Sequence, residues 1–490
     1  MAKTHASPTV DFVVVSNRLP VDKKPSNGGP ESWVTTPGGL VAALSPLMRE
    51  REAAWVGWPG HAGVALAPFS HGKTRFVPVE LSDKEVVEHY EGFSNSTVWP
   101  LYHDAIVEPE FHDQWWDTYR RVNSRFAEKA SEVAREGAFV WVHDYQLQLV
   151  PQMLRQARPD LTIGYFHHIP FPSFELFARM PWCRDILDGL LGADVLGVQR
   201  ESDASHLQHA ITELCGYSIE HSRVSVPVTD SAGELPKTRT DRSGATRDVV
   251  VGVFPISLDV EEISHQVSQD SVIARAKEIR QELGQPERIF LGVDRLDYTK
   301  GISHRLKAFG ELLEEGRLDP NSSVFVQLAS PSRERVESYR QLREDVDAQV
   351  EQINSHFAEV PRPPVVYRYE NIPREEIMAH YLAADVMVVT PLRDGMNLVA
   401  KEFVAARADD SGVLVLSECA GAADEFGEAL VVDPLDIESV KQALVAASTM
   451  SRDDQKVRMH ALRRTLAEHD VRNWATGFID AVMAARGGER

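Results

Sequence analysis

Two stretches of this 490-residue sequence place charge where an anion could be held. In Gly292-Val293-Asp294-Arg295-Leu296-Asp297-Tyr298-Thr299-Lys300-Gly301 an apolar run stops at Val293. Two cations follow five positions apart, Arg295 and Lys300, before a helical pattern that begins near Ile302. Preorganised cations in a water-poor cleft stabilise the charge that develops on a departing diphosphate. A solvated loop with local Asp–Arg pairs accounts for the same residues, and spacing leaves both readings open. In Thr390-Pro391-Leu392-Arg393-Asp394-Gly395-Met396-Asn397-Leu398-Val399-Ala400-Lys401-Glu402, Gly395 permits a tight turn and a helix starts near Asn397. The N–H groups of Asn397, Leu398 and Val399 then face an anion. Asp394 lies at the helix mouth, able to accept hydrogen bonds from sugar hydroxyls, and Glu402 lies more than a turn further on, in reach of ribose hydroxyls. The alternative is an ordinary capped helix with an acid near its positive end.

A third constellation joins Trp141-Val142-His143-Asp144-Tyr145 to Tyr165-Phe166-His167-His168-Ile169-Pro170-Phe171-Pro172. Hydrogen bonding to sugar hydroxyls suits these side chains better than metal binding, because neither HxxxH spacing nor a cysteine partner supports a metal. No metal or cofactor is expected. Pro37-Gly38-Gly39-Leu40 opens a helical stretch and lets backbone approach a phosphate or sugar, or is a plain helix-start turn. No GxGxxG occurs, and Gly72-Lys73-Thr74 lacks the first glycine of a P-loop because position 67 is Ala67. No GxSxG elbow is present either. The early aromatics Trp55, Trp58, Tyr90, Trp99, Tyr102, Trp115 and Trp116 are mostly core candidates, with one or two available to stack on a sugar.

These residues recur at the ends of short apolar runs, which is where open parallel sheets bind ligands. The runs are Asp11–Val15, Phe139–Val142, Thr162–Phe166 and Asp194–Val198, then Ile289–Val293, Val324–Leu328, Val365–Tyr367, Asp385–Val389, Val413–Leu416 and Leu430–Val432. Helical patterns alternate with them, so the fold class is α/β with two doubly wound domains. Residues 1–255 form the first domain and 256–465 the second, with a C-terminal helix at 466–490 that could return to the first. Val228–Asp248 is polar and reads as an exposed loop or hairpin. Hydrophobic residues make up 43% of the chain, enough for large cores. The net charge of −21 argues against nucleic-acid or anionic-membrane partners. Three scattered cysteines, no apolar leader and no 18-residue apolar span point to a cytoplasmic protein.

With those motifs in order along residues 10–435, the chain resembles the trehalose-6-phosphate synthases, retaining glycosyltransferases of GT-B fold. Ser16-Asn17-Arg18, Gly57-Trp58, Phe93-Ser94-Asn95 and Trp99-Pro100 add to the match. The resemblance implies two Rossmann-like domains facing across a cleft, and transfer of glucose from a nucleotide-glucose to glucose 6-phosphate. It implies that Arg295 and Lys300 hold the donor phosphates, Asn397, Leu398 and Val399 the diphosphate, and Glu402 the ribose. Asp394 and His168 then stand at the donor sugar, Gly38 and Gly39 close over it, and the base lies near Tyr369 to Ile372. Arg18 and Arg333 fall to the acceptor's 6-phosphate, and Tyr90, Trp99 and Asp144 to its sugar. Attack from the leaving-group face replaces a carboxylate nucleophile. Gly28-Gly29 competes with Gly38-Gly39 as the closing loop. Uridine is the usual base, with adenine and guanine open, and a homo-oligomer is expected, a tetramer before a dimer. The rival readings are a sucrose-phosphate-type transferase, a phosphorylase and a non-catalytic sugar-phosphate sensor.

Overall fold

The structure is a computed structural model, and it describes residues 9–23, 33–35, 44, 48, 52–105, 107–228 and 246–487. The chain divides into two units, Met1–Ile256 with Arg472–Arg490, and Ser257–Val471.

The first unit is built on a ten-stranded sheet. Seven strands pair in parallel, in the spatial order Thr246–Val253, Val195–Val198, Thr162–Phe166, Ala134–His143, Val10–Arg18, Ala53–Trp58 and Thr74–Pro78. Val13, Val14 and Val15 are fully buried, as expected for a parallel strand covered on both faces. The strand order reverses between Val10–Arg18 and Ala134–His143, which places a ligand-binding crevice at their carboxyl ends. Ser16, Asn17 and Arg18 still belong to the first strand rather than following it. Gly72-Lys73-Thr74 is a hairpin corner: Gly72 has φ +62°, and Phe69–His71 pairs antiparallel with Thr74–Pro78.

The stretch from Val228 to Asp248, expected as an exposed loop or hairpin, runs into the sheet at its far end. Thr246–Val253 is already strand and pairs antiparallel with Arg223–Pro227, so Thr246, Arg247 and Asp248 sit in the sheet. Residues 229–245 lie outside the described set. The helix Val471–Gly487 belongs to this unit. Trp474, Phe478 and Val482 recur every four residues and pack against the sheet. Phe478 stacks on Trp141 with centroids 4.7 Å apart. A Cβ at Gly164 would lie 2.7 Å from Phe478, and one at Gly197 2.6 Å from it. Two neighbouring strands thus give up side chains to admit one aromatic ring.

The second unit holds six parallel strands in the order Val365–Tyr369, Ser323–Ser330, Arg288–Arg295, Val386–Val389, Val413–Ser417 and Leu430–Val432. This is the doubly wound 3-2-1-4-5-6 order, with its reversal between Arg288–Arg295 and Val386–Val389. Phe290, Phe309 and Phe325 anchor one core cluster. The loops that leave the two central strands carry the charged motifs.

Candidate functional site

In the second unit those loops are knit together by backbone. After Arg288–Arg295 the chain makes a short turn at Tyr298–Lys300, passes Gly301 at φ +62° and enters the helix Ile302–Glu314. Gly301 is required there, because a Cβ would meet Thr390 O at 2.1 Å. Leu392 N donates to Thr299 O at 2.7 Å, and Ser417 Oγ to Pro391 O at 2.7 Å. Gly421 N reaches Gly395 O at 2.8 Å. Three strand ends are thereby fixed in one register.

Lys300 Nζ donates to Asp394 Oδ2 at 2.6 Å, with both side chains about an eighth exposed, 12% and 13%. Asp394 also accepts from Gly395 N at 3.0 Å and from Asn397 Nδ2 at 3.0 Å. Asn397 caps the helix Leu398–Ala406 rather than entering it. Its φ is +68°, and its Oδ1 accepts from Ala400 N at 3.2 Å. The N–H groups of Leu398 and Val399 open the helix, where no intrahelical acceptor exists. Glu402 accepts from Arg374 at 3.1 Å and from Tyr381 OH at 2.9 Å, so both oxygens are held. Arg295 is exposed, with Ser332 Oγ at 3.5 Å. Ile372, partly buried, follows the strand Val365–Tyr369.

Several members of this cluster were given no role by sequence reasoning. Asp294 and Arg305 form a buried ion pair, and Arg305 Nε also donates to Gln327 Oε1 at 2.9 Å. Burial raises the Asp294 carboxyl, against the pull of Arg305. Asp297, fully buried, accepts from Thr299, Arg333 and Tyr339. Burial opposes its charge, but the Arg333, Arg295 and Lys300 cations outweigh burial and hold the carboxyl below the usual range. Arg333 itself sits at φ +47°, with its side chain 3% exposed. The sequence signal for Asp297 was its place inside the Arg295–Lys300 motif.

The first unit carries its own cluster, which grows from its reversal point. Asp144, directly after Ala134–His143, has φ +75°, a conformation unusual for a non-glycine residue and common at functional sites. Its Oδ1 accepts from His168 N at 3.2 Å. His143 Nδ1 lies 3.0 Å from His168 Nε2. Burial pushes His168 down to about 3, with the neighbouring His167 adding to it, and burial also drives His143 well below the ordinary imidazole value. Both rings are therefore neutral near pH 7 and serve as hydrogen-bonding groups, not cations. Asp144 leads into Tyr145, whose OH donates to Asn95 Oδ1 at 2.8 Å. Asn95 lies on Val86–Val98, a helix of wide π-type turns, and its Nδ2 reaches back five residues to Tyr90 O at 2.7 Å. Such turns cluster at functional sites.

Tyr90 remains partly open and tilts against Trp58, with centroids 5.8 Å apart. Arg18 lies over the same Trp58 ring at 5.8 Å, and a Cβ at Gly60 would fall 2.1 Å from its guanidinium. Trp99 is buried between His103 and Tyr145. Gly38 and Gly39, like Gly28 and Gly29, lie outside the described residues. Among the described residues no three His, Cys, Asp or Glu side chains converge as a metal site.

Comparison with known proteins adds to this geometry. The model of glycosyltransferase family 20 matches residues 10–484. A trehalose-6-phosphate synthase of Mycobacterium sp. (strain KMS) is 52% identical over 480 residues, covering 98% of this chain and 96% of that protein. A solved α,α-trehalose-phosphate synthase (UDP-forming) from Burkholderia xenovorans, in complex with glucose-6-phosphate, superposes with a TM-score of 0.86. Its identity is 29%, and the match covers 97% of this chain and 100% of that one. An E. coli structure bound with UDP-2-fluoro glucose gives a TM-score of 0.83 at 31% identity, over 96% and 98% of the two chains.

Proposed function

We propose that this chain, which belongs to glycosyltransferase family 20, transfers glucose from a nucleotide-glucose to glucose 6-phosphate, giving α,α-trehalose 6-phosphate and a nucleoside diphosphate. The observation that carries the reading is Lys300 Nζ on Asp394 Oδ2 at the mouth of the helix Leu398–Ala406. A cation, a carboxylate and a helix N-terminus at one strand-order reversal supply what a sugar diphosphate needs: phosphate donors and a hydroxyl acceptor.

In this reading Arg295 and Lys300 offset the charge that develops on the leaving diphosphate. Leu398 and Val399 N–H groups, with Asn397 as cap, extend that anion site. Glu402 accepts from the ribose, held by Arg374 and Tyr381. Neutral His168 and Asp394 hydrogen-bond the donor glucose. Asp144, Tyr90 and Trp99 line the acceptor, and Arg18 and Arg333 hold its phosphate. The acceptor hydroxyl attacks from the face the nucleotide leaves, and the leaving phosphate takes its proton. No metal enters this scheme, because Arg295 and Lys300 carry the compensating charge. Uridine is the proposed base, supported by the relatives described as UDP-forming and as bound with UDP-2-fluoro glucose. The proposal includes a cytoplasmic homo-oligomer, a tetramer before a dimer, which light scattering reads directly. Among the described residues no helix is long and apolar enough to cross a membrane.

The test is product formation from glucose 6-phosphate with UDP-, ADP- and GDP-glucose in turn, with and without chelator, beside Arg295→Ala. Trehalose 6-phosphate from the wild type, nearly lost in the variant and unaffected by chelator, is the expected result. A folded wild-type protein that transfers glucose from none of the donors overturns the reading.

A further inference from the structure

Asp297 is one carboxylate serving two neighbours. Its Oδ1 accepts from Thr299 N at 3.0 Å and from Thr299 Oγ1 at 2.9 Å. Its Oδ2 accepts from Arg333 Nη1 at 3.1 Å and from Tyr339 OH at 3.0 Å. The first pair of bonds shapes the turn Tyr298–Lys300, which Lys300 N closes onto Asp297 O at 3.0 Å. The far side of that turn is fastened by Leu392 N on Thr299 O. Lys300 leaves the turn aimed at Asp394. The second pair of bonds fixes Arg333, which also donates to Tyr339 OH and lies with its ring face 5.3 Å away.

We propose that Asp297 is a positioning residue that holds Arg333 and the Lys300-bearing turn in one register, so that one buried carboxylate sets the reach of both the acceptor-phosphate arginine and the donor-phosphate lysine. The proposal rests on the transferase reading above for what those two cations bind. A guanidinium carries five N–H donors in a rigid plane, so pinning one corner on Asp297 fixes the direction in which the others meet a phosphate. Lysine is a point charge on a flexible stem, and its reach is set by where the backbone of its turn lies. Arg333 also holds a left-handed backbone conformation, a strained state that persists only where surrounding contacts over-determine it. A purely structural ion pair would lower the melting temperature and leave ligand constants alone.

The experiment uses the full chain. UDP affinity is measured by calorimetry, and the KM for glucose 6-phosphate at saturating UDP-glucose, for wild type, Asp297→Asn, Arg333→Lys and Thr299→Val. Asp297→Asn is expected to weaken both constants by about tenfold or more, the scale of a lost hydrogen bond to a charged group. Arg333→Lys should raise only the glucose 6-phosphate KM, and Thr299→Val should weaken only UDP binding. Asp297→Asn with both constants within about twofold of wild type, or with only one of them changed, overturns the proposal. Should Asp297→Asn not fold, the double variant Thr299→Val/Arg333→Lys decides. Coupling through a shared carboxylate makes its losses differ from the product of the single losses, whereas independent sites multiply and overturn the proposal. Wild type that binds UDP and glucose 6-phosphate but transfers nothing sinks the transferase reading. Calorimetric titration with each ligand then still decides on Asp297.

Discussion

Asn397 does three things at once, and its replacement separates them. It sits at φ +68°, its Oδ1 caps Ala400 N and its Nδ2 donates to Asp394 Oδ2. Asn397→Ala removes the cap, worth about 1 kcal/mol. It removes a hydrogen bond to a carboxylate, worth about 1.5–3 kcal/mol and near the lower figure because water can reach a side chain 13% exposed. It also forces a Cβ-bearing residue without a compensating side chain into the left-handed region, for about 1 kcal/mol. The total is about 3–4 kcal/mol. Asn397→Gly loses the same bond to Asp394, but glycine at the cap costs only a few tenths of a kcal/mol and escapes the third loss, so it should be about 1–2 kcal/mol milder. The assay is urea unfolding of wild type and both variants followed by tryptophan fluorescence and circular dichroism, with UDP affinity measured on the folded proteins. Both variants should bind UDP more weakly than wild type, since Asp394 and the helix mouth lose their common brace. A glycine variant no more stable than the alanine variant would refute the assignment of strain to the backbone. Either variant at wild-type stability would refute the account of the cap.

Other consequences follow from burial. His89, His167 and His168 are each pushed down to about 3, chiefly by burial. The unfolded chain takes up their protons below about pH 6.5 and the folded chain does not. Their contribution is therefore intact above that value and falls as pH drops toward 3, on the order of 1 kcal/mol per histidine per pH unit; unfolding midpoints between pH 7.5 and 4.5 read this. Arg305→Leu leaves the buried Asp294 without its ion partner and should destabilise by about 3–5 kcal/mol, with partial recovery on adding Asp294→Asn, both measured by thermal unfolding. Trp474→Ala empties the aromatic site between Trp141 and Phe166. It should cost about 3–5 kcal/mol, seen as a lowered unfolding midpoint. Glu402→Gln keeps the shape but weakens the hold of Arg374 and should raise the UDP dissociation constant by about tenfold, read by calorimetry.

Most parallel strands were legible because burial on both faces leaves continuous apolar runs such as Ile289–Val293 and Val413–Leu416. Ala53–Trp58 was hidden by its small and aromatic residues, which read as core packing without a strand signature. Thr74–Pro78 was hidden by Pro78 and by the charge of Arg75 in so short a run. Thr246–Val253 begins inside a polar stretch, and only its pairing with Arg223–Pro227 makes Thr246 to Asp248 strand. Arg295, Lys300, Asp394 and Asn397 were legible as candidates because each lies at or just beyond a strand end. The work of Asp297 was not, because Arg333 and Tyr339 stand 36 and 42 residues away and only the fold brings them to it. The wide turns of Val86–Val98 were equally hidden, since the bonds of Asn95 to Tyr90 and of Ser96 to Glu91 span five residues, a spacing ordinary helical periodicity does not mark.

A chain of net charge −21 does not draw phosphates by its overall field, and the strand-end cluster does not act as a bare positive patch. Lys300 is built against Asp394, Arg333 against Asp297 and Arg305 against Asp294. Each carboxylate removes part of the attraction for a free anion and fixes the cation's geometry in return. A small phosphate at Lys300 would meet Asp394 directly beside it. A sugar diphosphate brings phosphate oxygens for the lysine and hydroxyl donors for the carboxylate, so both members of the pair gain a partner in the same event. In the proposed transfer the pairing turns charge attraction into recognition of one ligand shape, by leaving the wrong anion with an unsatisfied neighbour.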